Sequence, residues 1–253
     1  RFAAVITDDG SVVYGAGLKF VPEDGLKAVS VAVGELHTVI LLSDGSVRVL
    51  GDNRYGQADT GKWTNVVAVS AGDYHTVGLL SDGTLVACGR DNAGQTKVGS
   101  IKSAVSVSAG GRHTLVLTSE GRVVAVGDNS DGQCLVTSWT DVIAISAGDI
   151  HSVGLRKDGS VVGAGCDLSG RLDVGSFADV IAISAGKSMT VAVRSDGSVL
   201  TAGGTIGQGA VDGSSLSDIV SAVAGEFGFV AVKKDGSFVS AGYGAPDMSI
   251  LKK

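Results

Sequence analysis

One pattern recurs from end to end of this chain. Asp-Gly or Glu-Gly pairs end at Gly10, Gly45, Gly83, Gly121, Gly159, Gly197 and Gly236, at intervals of 35, 38, 38, 38, 38 and 39 residues. A second landmark, a glycine closing a run of small residues, falls at Gly34, Gly72, Gly110, Gly148, Gly186 and Gly225. Repetition of this kind restricts the fold to architectures in which each unit buries its apolar face against its neighbours. One full period reads Val142 to Gly148, then His151 to Leu155, the pair Asp158-Gly159, Ser160 to Gly165, and a polar loop ending at Gly170. Valine-rich runs flank every Asp-Gly pair, the signature of a β-hairpin, and a two-residue type I′ turn with both central residues at positive φ is expected there. The run before each strand-ending glycine carries small side chains, as a strand near a crowded axis requires. No segment of helical length shows a 3.6-residue period.

A unit of about 38 residues and roughly four strands, repeated seven times, predicts an all-β, seven-bladed β-propeller forming a single domain over residues 1–253. A linear solenoid needs shorter coils of about 20 to 30 residues. The first repeat is short by one strand, because Phe2 to Ile6 align with His37 to Leu41 and no small-residue strand precedes them. The expectation is that a strand upstream of Arg1 or, preferably, the tail from Asp247 to Leu251 completes that blade.

Composition removes other classes. Glycine is abundant, 39 of 253 residues, yet there is no Gly-X-Y period, and 44% of the residues are hydrophobic, so neither collagen nor disorder accounts for it. Gly, Ser and Asp interrupt every valine cluster, leaving no apolar run of about 18 residues and no expected membrane insertion. The net charge of −6 and the lack of a Lys/Arg cluster argue against a nucleic-acid partner. Cys88, Cys134 and Cys166 stand at three different places in the period, which suits single apolar fillers better than a disulfide framework or a metal site. Their odd number weighs against an oxidising compartment.

The strings Ala71-Gly72-Asp-Tyr-His75, Gly51-Asp-Asn-Arg-Tyr-Gly-Gln57 and Gly127-Asp-Asn-Ser-Asp-Gly-Gln133 carry a family resemblance. The chain resembles the repeats of the regulator of chromosome condensation (RCC1-like) family over essentially its whole length. Its short period is closer to the compact bacterial branch, exemplified by the type II β-lactamase inhibitory protein. The resemblance implies a seven-bladed propeller that works by binding other proteins, as an inhibitor or as a module of a larger surface protein. It favours a secreted or cell-surface bacterial setting, with the cytoplasm left open.

The chemistry-bearing residues follow the same period. His37, His75, His113 and His151 are all the histidines of the chain and hold one repeat position. Equivalent atoms of adjacent sheets, about 10 Å apart, cannot share a zinc ion whose ligands lie about 2.0 to 2.1 Å away, so a structural hydrogen bond from each imidazole to a loop backbone is expected, with no metal. Each Asp-Gly turn supplies one carboxylate, far from a calcium shell. Gly203 to Gly209 lacks the Gly-Lys-Ser/Thr ending of a phosphate loop, and no cofactor is expected. Residues that break the repeat with an ionisable group, Lys187, Arg171, Arg112 and Cys166, are scattered over several repeats, so no catalytic residue is assigned and a lyase or hydrolase is the lesser alternative.

The loop after the small-residue strand and the polar loop after the hairpin are expected on one face, opposite the Asp-Gly turns. That face carries the candidate partner-binding residues Leu36, Tyr55, Asp73, Tyr74, Arg112, Ile150, Phe227 and Tyr243. A carbohydrate-binding propeller would repeat one aromatic position, whereas the second residue after the strand-ending glycine reads Leu36, Tyr74, Arg112, Ile150, Ser188 and Phe227. A monomeric protein-binding scaffold with one asymmetric footprint fits that mixture. Because Asp52, Asp73, Asp149 and Glu226 share the face, a basic patch on the partner is expected.

Overall fold

The computed structural model describes residues 4–14, 18–205, 209–210 and 213–242. Tyr243 and the tail at 247–251 lie outside these residues. The chain is all-β and builds seven antiparallel sheets, one per repeat, the blades of a β-propeller. Blade 1 holds Ala4–Ile6, Val12–Tyr14 and Leu18–Phe20. Blades 2 to 5 each hold three strands: Ala28–Val33, His37–Leu42 and Val47–Gly51; Val66–Ala71, His75–Leu80 and Leu85–Gly89; Ala104–Ala109, His113–Thr118 and Val123–Gly127; Val142–Ala147, His151–Arg156 and Val161–Gly165. Blade 6 has four, Val180–Ala185, Met189–Arg194, Val199–Thr205 and Gly209–Ala210, and blade 7 has Ile219–Ala224, Gly228–Lys233 and Phe238–Gly242. The chain divides into two compact units, Arg1–Glu120 with Val124–Asp128, and Gly121–Val123 with Asn129–Lys253.

Two local expectations are corrected. The Asp-Gly turns are not two-residue type I′ turns, because Gly45 is at φ 79° while Asp44 is not in the positive region. Gly45 N–H bonds to Leu42 C=O and Leu42 N–H to Ser46 C=O, which makes a three-residue loop: a type I turn closed by a left-handed glycine. The aspartate is there for its side chain. Asp44 Oδ1 accepts both the backbone N–H of Ser46 at 2.9 Å and its hydroxyl at 2.6 Å, and these bonds hold the Asp44 carboxyl below the usual carboxylate range. The same pair recurs at Asp82 with Thr84, Asp158 with Ser160, Asp196 with Ser198 and Asp235 with Ser237.

The second correction concerns strand number. Among the described residues, blades 2 to 5 have three strands, and a turn-rich segment replaces the expected fourth. It carries apolar residues in place of a ladder: Trp63, Ile101, Trp139 and Phe177 each donate their backbone N–H to the residue three earlier. Their size is matched to the middle of the blade that follows. Trp63 packs against Gly78 and Trp139 against Gly154, whereas Ile101 shares a core cluster with Val116 and Phe177 with Ala192. Large stands over small in each blade, which keeps the interior volume filled.

Blades within a unit are joined through their backbones. The glycine of each turn passes its carbonyl to the next blade, as in Val66 N–H to Gly45 C=O and Val180 N–H to Gly159 C=O. The serine of the small-residue strand does the same work further along: Ser70 Oγ accepts from Ala109 N–H, and Ser146 Oγ from Ala185 N–H, both at 2.9 Å. Otherwise unpaired strand-edge groups are thereby satisfied.

Candidate functional site

The frame of the site is the buried histidine row. His37, His75, His113 and His151 are at most 2% exposed. His37 Nε2 meets Thr76 Oγ1 of the next blade at 3.0 Å, and the Thr76 hydroxyl donates its one proton to Gln57 C=O at 2.7 Å. The imidazole therefore donates from Nε2. His75 repeats the relay with Thr114 and Gln95, and His151 with Thr190 and Arg171. The expected loop-backbone bond is thus made one hydroxyl further on. Burial pushes His75 down to about 3 and His113 to about 4, so these two imidazoles are neutral at physiological pH.

The relay ends on the polar loop, whose glutamine is fully buried. Gln57 Oε1 accepts the Tyr55 N–H at 2.9 Å, and Gln95 and Gln133 hold the N–H of Ala93 and Asp131 in the same way. The other loop is held to it, since Asp52 N–H bonds to Leu36 C=O and Arg90 N–H to Tyr74 C=O. Both loops emerge at the same end of each blade, with their backbones anchored and their side chains left to vary.

On this frame the first unit gathers Tyr55 and Tyr74. Their rings make an edge contact with centroids 5.3 Å apart and planes at 65°. The Arg90 guanidinium lies over both, 5.2 Å from the Tyr55 centroid and 5.9 Å from that of Tyr74. Arg90 belongs to the polar loop on this face but stands outside the candidate partner-binding residues, because one arginine in a polar loop carries no signal until its neighbours across two blades are known. Tyr55 is 46% and Leu36 39% exposed, and Tyr74 and Asp73 are half-buried. Arg112, at the equivalent position one blade on, pairs with Asp128 at 3.3 Å. Ile150 and Phe227 hold the same loop position in the second unit, half-buried and 36% exposed respectively.

Carboxylates on this end are less available than their number suggests. Asp52 is held by Arg54 at 3.0 Å and by Gln57 at 3.1 Å, and Glu226 by Lys187 at 2.9 Å. The residues that break the repeat are likewise engaged. Arg171, standing where other blades have glutamine, is buried and donates to the carbonyls of Leu168 and Lys187. Cys88, Cys134 and Cys166 are not joined in disulfides, and burial pushes Cys88 up to about 12, which suits a filler. At the opposite end, a bulge in each first strand turns one β-branched residue outward, Val29, Val67 and Val105 in one unit and Ile143, Ile181 and Val220 in the other.

Residues 28–57, 66–95, 104–133 and 142–171 each match the model of the regulator of chromosome condensation (RCC1) repeat. No curated protein sequence matches the chain. Among solved structures it is similar to the CRINKLY WD40 ectodomain of the Arabidopsis thaliana receptor kinase ACR4, at 19% identity and TM-score 0.79, over 97% of this chain and 93% of that one. It is also similar to Prp20p of Saccharomyces cerevisiae, solved with a study of its binding to Gsp1p and histones, at 21% identity and TM-score 0.69, over 86% and 72% of the two chains. Human WBSCR16 aligns at 17% identity and TM-score 0.72, over 89% and 78%. At these identities the likeness is one of fold.

Proposed function

Because this chain belongs to the regulator of chromosome condensation (RCC1) repeat family, we propose that it is a non-catalytic protein-binding scaffold. It acts as a monomeric single domain over residues 1–253 and docks a protein partner with the loop end of its blades. Yeast RCC1 (Prp20) has been solved with Kap60 bound, so a relative of this fold takes protein partners. The reading rests on the cluster of Tyr55, Tyr74 and Arg90, in which rigid aromatic area is presented on anchored loops. Residues of this kind, exposed and held in place at no cost to the core, are those that dominate protein interfaces. Service as an inhibitor or as a module of a larger surface protein would use the same end.

The test compares immobilised wild-type protein with the Tyr55→Ala/Tyr74→Ala double variant as baits for the source organism's secreted and cytosolic fractions. Loss of the captured protein from the double variant, with retention by a Val67→Ser variant at the opposite end, is expected. Equal capture by wild type and the tyrosine variant would overturn the assignment.

A further inference from the structure

Resting on that reading, we propose that Arg90 is the anion-binding centre of the docking face and that the partner presents a side-chain carboxylate to it, beside an apolar or aromatic residue packed on Tyr55 and Tyr74. Arg54 is fixed to Asp52 and Arg112 to Asp128. Asp91, next to Arg90 in the chain, accepts the backbone N–H of Thr96 at 2.9 Å. Arg90 itself makes no ion pair and no side-chain hydrogen bond among the described residues, and its guanidinium lies over the two tyrosine rings.

A guanidinium held against aromatic rings with no bond to a carboxylate keeps its N–H donors for a ligand and has less side-chain entropy left to lose on binding. Such a fork matches a carboxylate bidentately, and charge-assisted bonds of this type are about twice as strong as neutral ones. The tyrosines add the apolar surface that a free anion would not use, which favours an acidic residue within a protein segment. This acidic contact at Arg90 stands beside the carboxylates of the same loop set, of which Asp52 is paired with Arg54 and Glu226 with Lys187.

Capped pentapeptides carrying Glu beside Trp, and matched peptides carrying Gln beside Trp, test the assignment by fluorescence anisotropy. Wild type should bind the Glu peptide about tenfold more tightly, the effect of one charge-assisted hydrogen-bonded contact. Arg90→Gln should abolish the preference and leave the thermal melt unchanged, while Arg90→Lys keeps part of it. Equal binding of the two peptides, a preference that survives Arg90→Gln, or no binding of either at millimolar concentration would each overturn the inference. So would displacement of the Glu peptide by inorganic phosphate at far lower concentration than by acetate, which would point to a phosphoryl ligand. If both peptides bind equally and both are lost in Tyr74→Ala, the acidic contact is wrong while the docking face stands. If the Glu preference persists in the Tyr55→Ala/Tyr74→Ala variant, the face itself is wrong.

Discussion

The imidazole of His75 occupies the space that a Cβ on Gly72 would need, and the carbonyl of Gly110 closes the same space from the next blade. Gly72 is not in the left-handed region, so its role here is volume and not backbone freedom. The three-residue spacing of glycine and histidine in blades 2, 3 and 5 is therefore one packing unit.

Gly72→Ala should destabilise the protein by about 3 kcal/mol, the upper end for overpacking, because the ring it meets is held by Thr114 and cannot swing away. Gly225→Ala is the internal comparison. Its blade has Gly228 in the histidine position, and an added Cβ would meet only the Gly228 carbonyl, at 3.0 Å for the oxygen. Denaturant unfolding of the two variants should separate them clearly, and similar costs would sink the argument.

Acid should weaken the fold through the histidines. His75 and His113 titrate near 6.5 when unfolded and at about 3 and about 4 when folded, their protons being rejected by burial. A depressed folded value means that the contribution is fully present above the unfolded pKa and is lost as pH falls through the window down to the folded one. Melting temperature should be flat above about pH 7 and fall steadily below pH 6.5, with a shallower slope in His75→Asn. A chelator should leave the melt unmoved, since each Nε2 traced here is committed to a threonine hydroxyl. A melt unaffected down to pH 4 would contradict this account.

The pairing of Trp63 with Gly78 should be exchangeable for that of Ile101 with Val116. Gly78→Val alone places new methyl groups against the indole and should cost about 1 to 3 kcal/mol. Trp63→Ile alone leaves a void and should cost a similar amount. Combined, the two changes reproduce the neighbouring blade, and the double variant should be more stable than the sum of the singles by about 1 kcal/mol or more. Simple additivity in a double-mutant cycle would show that the two sites are not coupled.

Binding and stability should part company at the loop end. Tyr55→Ala and Tyr74→Ala remove partly exposed rings and should change stability by no more than about 0.5 kcal/mol. Affinity for the captured partner should fall by about 1 kcal/mol for each, and by about 2 or more for at least one of them. Calorimetry of the complex beside thermal melts of the free proteins measures both quantities on the same samples.

Much of this fold was legible in the residues because every blade solves the same problem with the same side chains. The Asp-Gly period, the small-residue strand and the common face of the two loops are local properties, and the family strings around Gly72, His75 and Gln57 mark them. Turn type was misread because Asp44 works through its side chain on Ser46, a bond that residue identity does not reveal. The fourth strand was misread because Trp63 and Trp139 fill space without joining a ladder. By itself the order of residues determined an all-β chain of seven repeats, with its histidines at one position and its candidate binding residues in loops. Tertiary structure alone decided that His37, His75 and His151 each bond a threonine one blade away, that tryptophan answers glycine, and that Arg90 lies over Tyr55 and Tyr74. Those contacts join residues 15 to 39 positions apart, where distance along the chain says nothing until the blades are side by side.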